Sequence, residues 1–112
     1  MDCEIVILVE NIDICRYFYR ETLGLGEPEL DSNFQVIFRL SESTVLVLEQ
    51  CGANYLEHFS GACRFVLDFP DPAALILRMQ KNGTPLVEDF NRYGKKTLRG
   101  IDPEGNVFGI RC

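Results

Sequence analysis

Apolar and polar positions along the chain change from one spacing to another, and the changes mark a first group of elements. The segment "CEIVILVEN" contains an apolar run long enough for a strand buried on both faces. Asn11 is a helix cap, and apolar residues at near-helical spacing predict a helix through Thr22 that ends at Gly24. The segments "NFQVIFRL" and "TVLVLEQ" are then predicted as strands joined by a Ser-Glu-Ser turn, whereas "GEPEL" is at most a short extended piece.

The second half of the chain repeats this order of elements. "CRFVLDF" is predicted as a strand, and Asp71 as the cap of a helix with Pro72 at its first position and Asn82-Gly83 at its end. Three extended segments follow, namely "PLVEDF", "KKTLRGI" and "NVFGIRC", and an Asp-Pro-Glu-Gly turn joins the last two. The hydrophobic pattern therefore describes one unit, βαβββ, written twice.

The repeat predicts an α+β fold in which residues 1–112 form a single domain. Its two units span 1–51 and 62–112, and a linker covers 52–61. One helix covers only one face of a four-stranded sheet, so we expect the uncovered faces of the two units to form a curved mixed sheet around a cleft. Ligand sites favour such concave junctions.

Charge and composition narrow the classes of function. A formal net charge of −6 without clustered Lys and Arg argues against a nucleic-acid binder. No apolar run approaches the roughly 20 residues that a membrane span needs. Asp2 and Glu4 stand where a signal peptide would carry basic residues, and the five cysteines form no CxxC pair. We therefore expect a cytoplasmic protein with reduced thiols and no membrane partner.

Two motifs resemble a known family. Residues 9–25, "VENIDICRYFYRETLGL", and residues 102–110, "DPEGNVFGI", are similar to motifs of the vicinal oxygen chelate superfamily, which groups glyoxalase I, bleomycin-resistance proteins and extradiol dioxygenases. With the repeat, the likeness covers nearly the whole chain. It implies the glyoxalase/bleomycin resistance/dihydroxybiphenyl dioxygenase fold and a homodimer with two equivalent clefts, although function depends on the site and not on the fold.

The resemblance also identifies where metal-using members carry their ligands. They place a His or Gln in the first strand of a unit and a Glu in its last strand, and these positions correspond here to Glu4 and Arg64, and to Val47 and Gly109. Glu49 points to the same face as Val47. Arg64 stays protonated and cannot bind a metal, and Gly109 has no side chain. The usual metal site is therefore expected to be missing, with no cofactor and no assigned catalytic residue.

Strand parity and the loops give the residues expected to line the cleft. Glu4 and Arg64 are predicted to form an ion pair at its floor, either as a structural pair or with Arg64 binding a ligand carboxylate or phosphate. Phe90 and Tyr93, in a long loop of the second half, can stack on a bound ring or serve in ordinary packing. The sequence does not fix which face of the third strand points inward. The full set is Glu4, Val6, Phe38, Val47, Glu49, Arg64, Val66, Phe90, Tyr93, Val107, Gly109 and Arg111.

Two hypotheses about function follow. The first is a metal-free small-molecule binding protein resembling the bleomycin-resistance branch, with an aromatic or cationic ligand. The second is a glyoxalase I-like lyase or a dioxygenase that binds a divalent metal through Glu4, Glu49 and further residues. His58, the only histidine, lies in the linker, where a solvated or structural role is weighed against that of a base.

Overall fold

The computed structural model describes residues 1–52 and 64–111 and divides the chain into two compact units, Met1–Gly61 and Ala62–Cys112. Each unit follows the predicted order of strand, helix and three strands and forms one four-stranded mixed sheet. The predicted linker lies outside the described residues except for Gly52.

Unit 1 contains the first four strands and the first helix. Its elements are β1 (Cys3–Val9), α1 (Ile12–Tyr17), which continues as a π-helical turn (Phe18–Thr22), β2 (Leu30–Asp31), β3 (Gln35–Arg39) and β4 (Thr44–Gln50). The strand order is β1-β4-β3-β2, with β1 parallel to β4 and the other pairs antiparallel.

The first helix begins where the sequence predicts it. The Asn11 side chain accepts a hydrogen bond from the Ile14 N–H at 3.2 Å, as an N-cap residue does. The side chain of Gln50, at the end of β4, accepts from the Ile12 N–H at 3.2 Å and so fixes the helix start to the sheet. The predicted helix extends to Thr22, but its last five residues are π-helical, and this wider turn buries Phe18, Tyr19 and Thr22.

The core of unit 1 lies between the helix and one face of the sheet. Val36 and Phe38 of β3 are buried on this face, where the Phe38 ring lies 6.4 Å from the Tyr19 ring. Their partners in β4 are the buried Leu48 and Leu46. The other face of the same sheet carries Glu4, Val6, Val47 and Glu49, which the sequence analysis assigned to the cleft.

Unit 2 repeats this arrangement. Its elements are β5 (Phe65–Asp68), α2 (Pro72–Lys81), β6 (Val87–Phe90), β7 (Lys96–Ile101) and β8 (Val107–Arg111), with strand order β5-β8-β7-β6. The Asp71 side chain accepts from the Ala74 N–H at 3.2 Å, and Pro72 opens α2, as predicted. Its buried apolar residues are Leu67, Leu75, Met79, Leu98, Phe108 and Ile110.

Two residues of unit 2 show how β7 and β8 are held together. Gly100 leaves room for the Phe108 ring, since a Cβ there would lie 2.4 Å from Phe108 Cζ. Asp102, only 4% exposed, organises the turn that follows: its carboxylate accepts from the N–H groups of Glu104 and Asn106 and from the Asn106 side-chain amide, all at 2.9 Å. The Asp-Pro-Glu-Gly-Asn motif is thus a turn stabilised by hydrogen bonds to the Asp102 side chain.

None of the helices in the described residues combines the length and the apolar character required to cross a membrane.

Candidate ligand-binding surface

Each sheet has one face turned away from its apolar core, and we name these faces after one residue. The Glu4 face of unit 1 carries Glu4, Val6, Leu8, Leu30, Gln35, Ile37, Arg39, Val45, Val47 and Glu49. The Arg99 face of unit 2 carries Val66, Asp68, Val87, Asp89, Thr97, Arg99, Ile101, Val107, Gly109 and Arg111. Paired strand residues share a face, so the register alone makes these assignments.

The two units place equivalent residues in equivalent pairs. Val6 of β1 pairs with Val47 of β4, and Val66 of β5 pairs with Gly109 of β8. Val47 is therefore the counterpart of Gly109, in agreement with the equivalence expected from the sequence. Arg64 directly precedes β5, one residue before the first pair of the β5–β8 ladder.

The space beside Gly109 is filled by an apolar side chain. A Cβ at this position would lie 3.2 Å from Val66 Cγ2 and 3.7 Å from the carbonyl oxygen of Leu98. A longer side chain on Gly109 would have to displace Val66, because the valine stands where that side chain would project. The position to which the resemblance assigns a metal-binding Glu is thus occupied by Gly109 and lies against Val66.

The remaining carboxylates do not replace that ligand. Glu4 pairs with Val45, and Glu49 lies four residues further along β4, which separates the two backbones by about 13 Å. Two oxygens on one ion must both lie within about 2.0–2.6 Å of it. Within residues 1–52 and 64–111, no three His, Cys, Asp or Glu side chains come together in a group that could hold a metal ion. The described donors do not fit the metal site that the resemblance would imply.

Arg64 has its ionic partner inside its own unit. Its Nη1 lies 3.8 Å from Oδ2 of Asp89, and Nη1 of Arg99 lies 3.9 Å from the same oxygen. One carboxylate thus stands between two guanidinium groups. The proposed pairing of Arg64 with Glu4 stays a prediction.

Arg99 and Asp89 were not identified by sequence reasoning, although a signal for Arg99 was present. The Asp102 turn closes a hairpin in which Ile101 pairs with Val107, so counting two residues outward pairs Arg99 with Gly109. Asp89 follows only from the β6–β7 register, which pairs it with Thr97. No local signal in the sequence fixes that register.

A pocket of about 310 Å³ opens on unit 2 beside Arg99. Its exposed lining includes the apolar side chains of Val87 and Ile101, each about half exposed, and the guanidinium of Arg99. Its lining consists of Thr84, Pro85, Val87, Arg99, Gly100, Ile101 and Asp102. The volume is at the lower end of the range for small-molecule sites.

The predicted aromatic contacts need correction. Phe38 is 1% exposed and packs on Tyr19 in the core of unit 1, so its assignment to the ligand-binding surface is wrong. Phe90 pairs with Lys96, whose neighbour Thr97 is on the Arg99 face, so Phe90 lies on the opposite side of the sheet. The expected long loop is a short connection in which Arg92 lies 5.6 Å from the Tyr93 ring. Ligand stacking by Tyr93 stays a prediction.

The other predicted residues keep their places on the two faces. Glu4, Val6, Val47 and Glu49 share the Glu4 face, and Val66, Val107, Gly109 and Arg111 share the Arg99 face. Arg111 lies 4.0 Å from Asp68, and both side chains are largely exposed. His58 lies outside the described residues.

Comparison with solved structures identifies the fold, although no family model and no curated protein matches the sequence. A glyoxalase/bleomycin resistance protein from Catenulispora acidiphila superposes with a TM-score of 0.73 at 19% identity, covering 98% of this chain and 96% of that one. A lactoylglutathione lyase from Agrobacterium tumefaciens gives 0.71 at 22% identity, with 98% and 91% covered. A glyoxalase/bleomycin resistance protein from a Streptomyces species gives 0.68 at 24% identity over the full length of both chains. The chain therefore has the fold of the glyoxalase and bleomycin-resistance proteins, as the resemblance of its motifs implied.

Proposed function

We propose that this protein binds a small molecule without a metal ion and is similar in this respect to the bleomycin-resistance branch of its fold. The contact between Val66 and the Cβ position of Gly109 is the observation that carries the proposal. It puts an apolar group where metal-using relatives have a ligand, and an apolar wall suits binding of an organic molecule better than binding of an ion.

Exposed apolar side chains on both faces support the same proposal. Val6 and Leu30 of unit 1, and Val66, Val87 and Ile101 of unit 2, are between 43% and 53% exposed. When a ligand covers such exposed aliphatic groups, their removal from water favours binding by about 25 cal/mol per Å² of apolar area. A binding role uses these groups directly and requires no catalytic residue.

The alternative is a metal-dependent lyase or dioxygenase. Its proposed ligands Glu4 and Glu49 are four residues apart along the strands, so one ion cannot bridge them within unit 1. This separation makes the binding protein the better supported of the two functions.

The proposed cellular context follows from the sequence and from the sheet order. We propose a homodimer, because β2 and β6 are outermost strands whose edges a partner chain can cover. We also propose a cytoplasmic location, as expected from cysteines that form no CxxC pair. Light scattering of the purified protein tests the dimer, and a mass equal to that of one chain would contradict it.

A thermal-shift screen tests the proposed function. The protein is screened against a library of small organic molecules after treatment with a chelator, and a second sample is screened after addition of nickel, zinc, iron or manganese salts. We expect hits that are the same in both samples, because a ligand at 100 times its Kd adds about 2.7 kcal/mol to the free energy of unfolding. Hits that appear only in the metal-supplemented sample would instead support the lyase or dioxygenase.

A further inference from the structure

The pocket beside Arg99 has the composition of a site for a molecule with an apolar body and one charged group. Val87 and Ile101 lie on the Arg99 face on either side of Arg99 and expose about half of their surface. Pro85 completes the apolar lining. The lining also contains the guanidinium of Arg99, which can supply a polar contact that orients a ligand.

The guanidinium of Arg99 is not tied down, in contrast to the structural arginines of this chain. Arg39 makes two bonds to Glu29, at 2.8 and 3.1 Å, and Arg16 bonds to Asp13, Asp31 and the Ser32 carbonyl at 2.6–2.7 Å. Among the described residues, the ion pair of Arg99 is with Asp89, and at 3.9 Å it is too long for a hydrogen bond. Almost half of the Arg99 side chain is exposed to solvent.

The acidic groups near the pocket do not cancel its positive charge. Asp89 lies between Arg64 and Arg99, so its one negative charge faces two positive ones. Asp102 also lines the pocket, but it is buried, and both of its oxygens accept hydrogen bonds from Glu104 or Asn106 in the turn. Arg99 therefore presents an exposed positive charge at the pocket, with five donors in a fixed fork.

We propose that this pocket binds an amphipathic anion, whose carboxylate or phosphate accepts hydrogen bonds from Arg99 while its apolar body covers Val87 and Ile101. Two oxygens of a carboxylate or of a phosphate match the guanidinium fork in two parallel hydrogen bonds. Arg64, on the other side of Asp89, adds a second positive charge that favours the anion. This inference names the ligand class of the proposed binding function and rests on it. It differs from the aromatic or cationic ligand that the sequence analysis expected, which stays a prediction.

Four matched probes test the inference. We would titrate ¹⁵N-labelled protein with 2-naphthoate, 2-naphthyl phosphate, neutral 2-naphthamide and cationic 2-naphthylmethylamine, which share one ring system. Both anions are expected to bind about tenfold tighter than the amide, a difference of about 1.4 kcal/mol, because a charged oxygen accepts stronger hydrogen bonds from a guanidinium than a neutral amide oxygen does. Amide shifts are expected at β6 and β7. The ratio between the two anions then distinguishes a carboxylate site from a phosphate site.

Substitutions of Arg99 in the pocket and of Lys81 outside it distinguish binding in the pocket from attraction to general surface charge. Arg99→Met is expected to remove the preference for the anions and to leave 2-naphthamide binding unchanged, and Arg99→Lys should restore part of the preference. Lys81→Met, which removes the same charge from the end of α2, should change neither.

Several results would overturn the inference. They are equal binding of naphthoate and naphthamide, tighter binding of the amine, shifts away from β6 and β7, and an anion preference that survives in Arg99→Met. If neutral ligands from the thermal-shift screen bind while both anions do not, this inference fails and the proposed function stands. If neither the library nor the probes bind, both fail.

Discussion

Val66 and Gly109 face each other across the β5–β8 pair, with Val66 Cγ2 only 3.2 Å from the position of a Cβ on Gly109. Their equivalents in unit 1, Val6 and Val47, form the same pair in the β1–β4 ladder. Of the four positions that the resemblance assigns to a metal site, namely Glu4, Val47, Arg64 and Gly109, two therefore carry valine or glycine. The last-strand corners of both units are apolar, which favours an organic ligand over an ion.

Placing a glutamate at position 109 should destabilise the protein. Gly109→Glu is expected to lower the free energy of unfolding by about 1–3 kcal/mol, because the new side chain must push Val66 aside. Adding Val66→Ala should recover part of the loss, and urea unfolding of the four proteins in the cycle measures the coupling. Gly52→Glu is the control, since a Cβ there meets nothing within 4 Å. Additive effects of the two changes would contradict the packing described for this corner.

A methyl group at Gly100 is expected to cost more. Gly100→Ala would place its Cβ 2.4 Å from Phe108 Cζ and 2.9 Å from Leu86 Cδ2, on the side of the sheet that holds the core of unit 2. We expect a loss of about 3 kcal/mol or a rearranged Phe108, because an overpacked core relaxes only partly. Chemical denaturation measures the loss, with Gly52→Ala as the matched control. A stability equal to that of the unmodified protein would show that Phe108 does not cover Gly100.

The Asp102 carboxylate is expected to stabilise the turn before β8. Asp102→Ala leaves the N–H groups of Glu104 and Asn106 without their acceptor, which should cost about 2–4 kcal/mol. Asp102→Asn keeps one oxygen acceptor and should cost less. Thermal unfolding compares the three proteins. Equal midpoints for Asp102→Ala and the unmodified protein would mean that the turn does not depend on this side chain.

Glu29 is expected to contribute to the pH dependence of the folding stability of unit 1. Hydrogen bonds from Arg39 lower the pKa of Glu29 below its ordinary value of 4.5. A carboxyl whose pKa is lower in the folded state favours folding at neutral pH, and this contribution is lost as the pH falls through the folded pKa. A ¹³C NMR titration of the side chain should show the lowered pKa, and Arg39→Met should raise it toward the ordinary value. An unchanged pKa in Arg39→Met would contradict the pairing.

Local signals in the sequence were sufficient to predict most of the fold. Asn11 and Asp71 bond to the N–H groups three residues later, so each helix start depends only on its own segment. Strand β4 has the predicted bounds, because its apolar run and its turn are contiguous in the chain. The π-helical end of the first helix carried no comparable signal.

The site was harder to predict from the sequence, because it depends on which sheet face packs against the helix. Parity correctly separated Phe38 from Ile37, but it could not say which of the two faces the core, and Phe38 was assigned to the wrong side. Arg99 could have been reached by counting from the Asp102 turn. Its partner Asp89 could not, because that contact depends on how a third strand aligns with β7.

The metal content of the purified protein tests the central claim most directly. We would measure nickel, zinc, iron and manganese by elemental analysis after purification without chelators, and again after incubation with each metal and removal of the excess. The account predicts far less than one ion per chain in every sample, because the corner at Gly109 is closed by Val66. One tightly held ion per chain, lost together with ligand binding when it is removed, would contradict it.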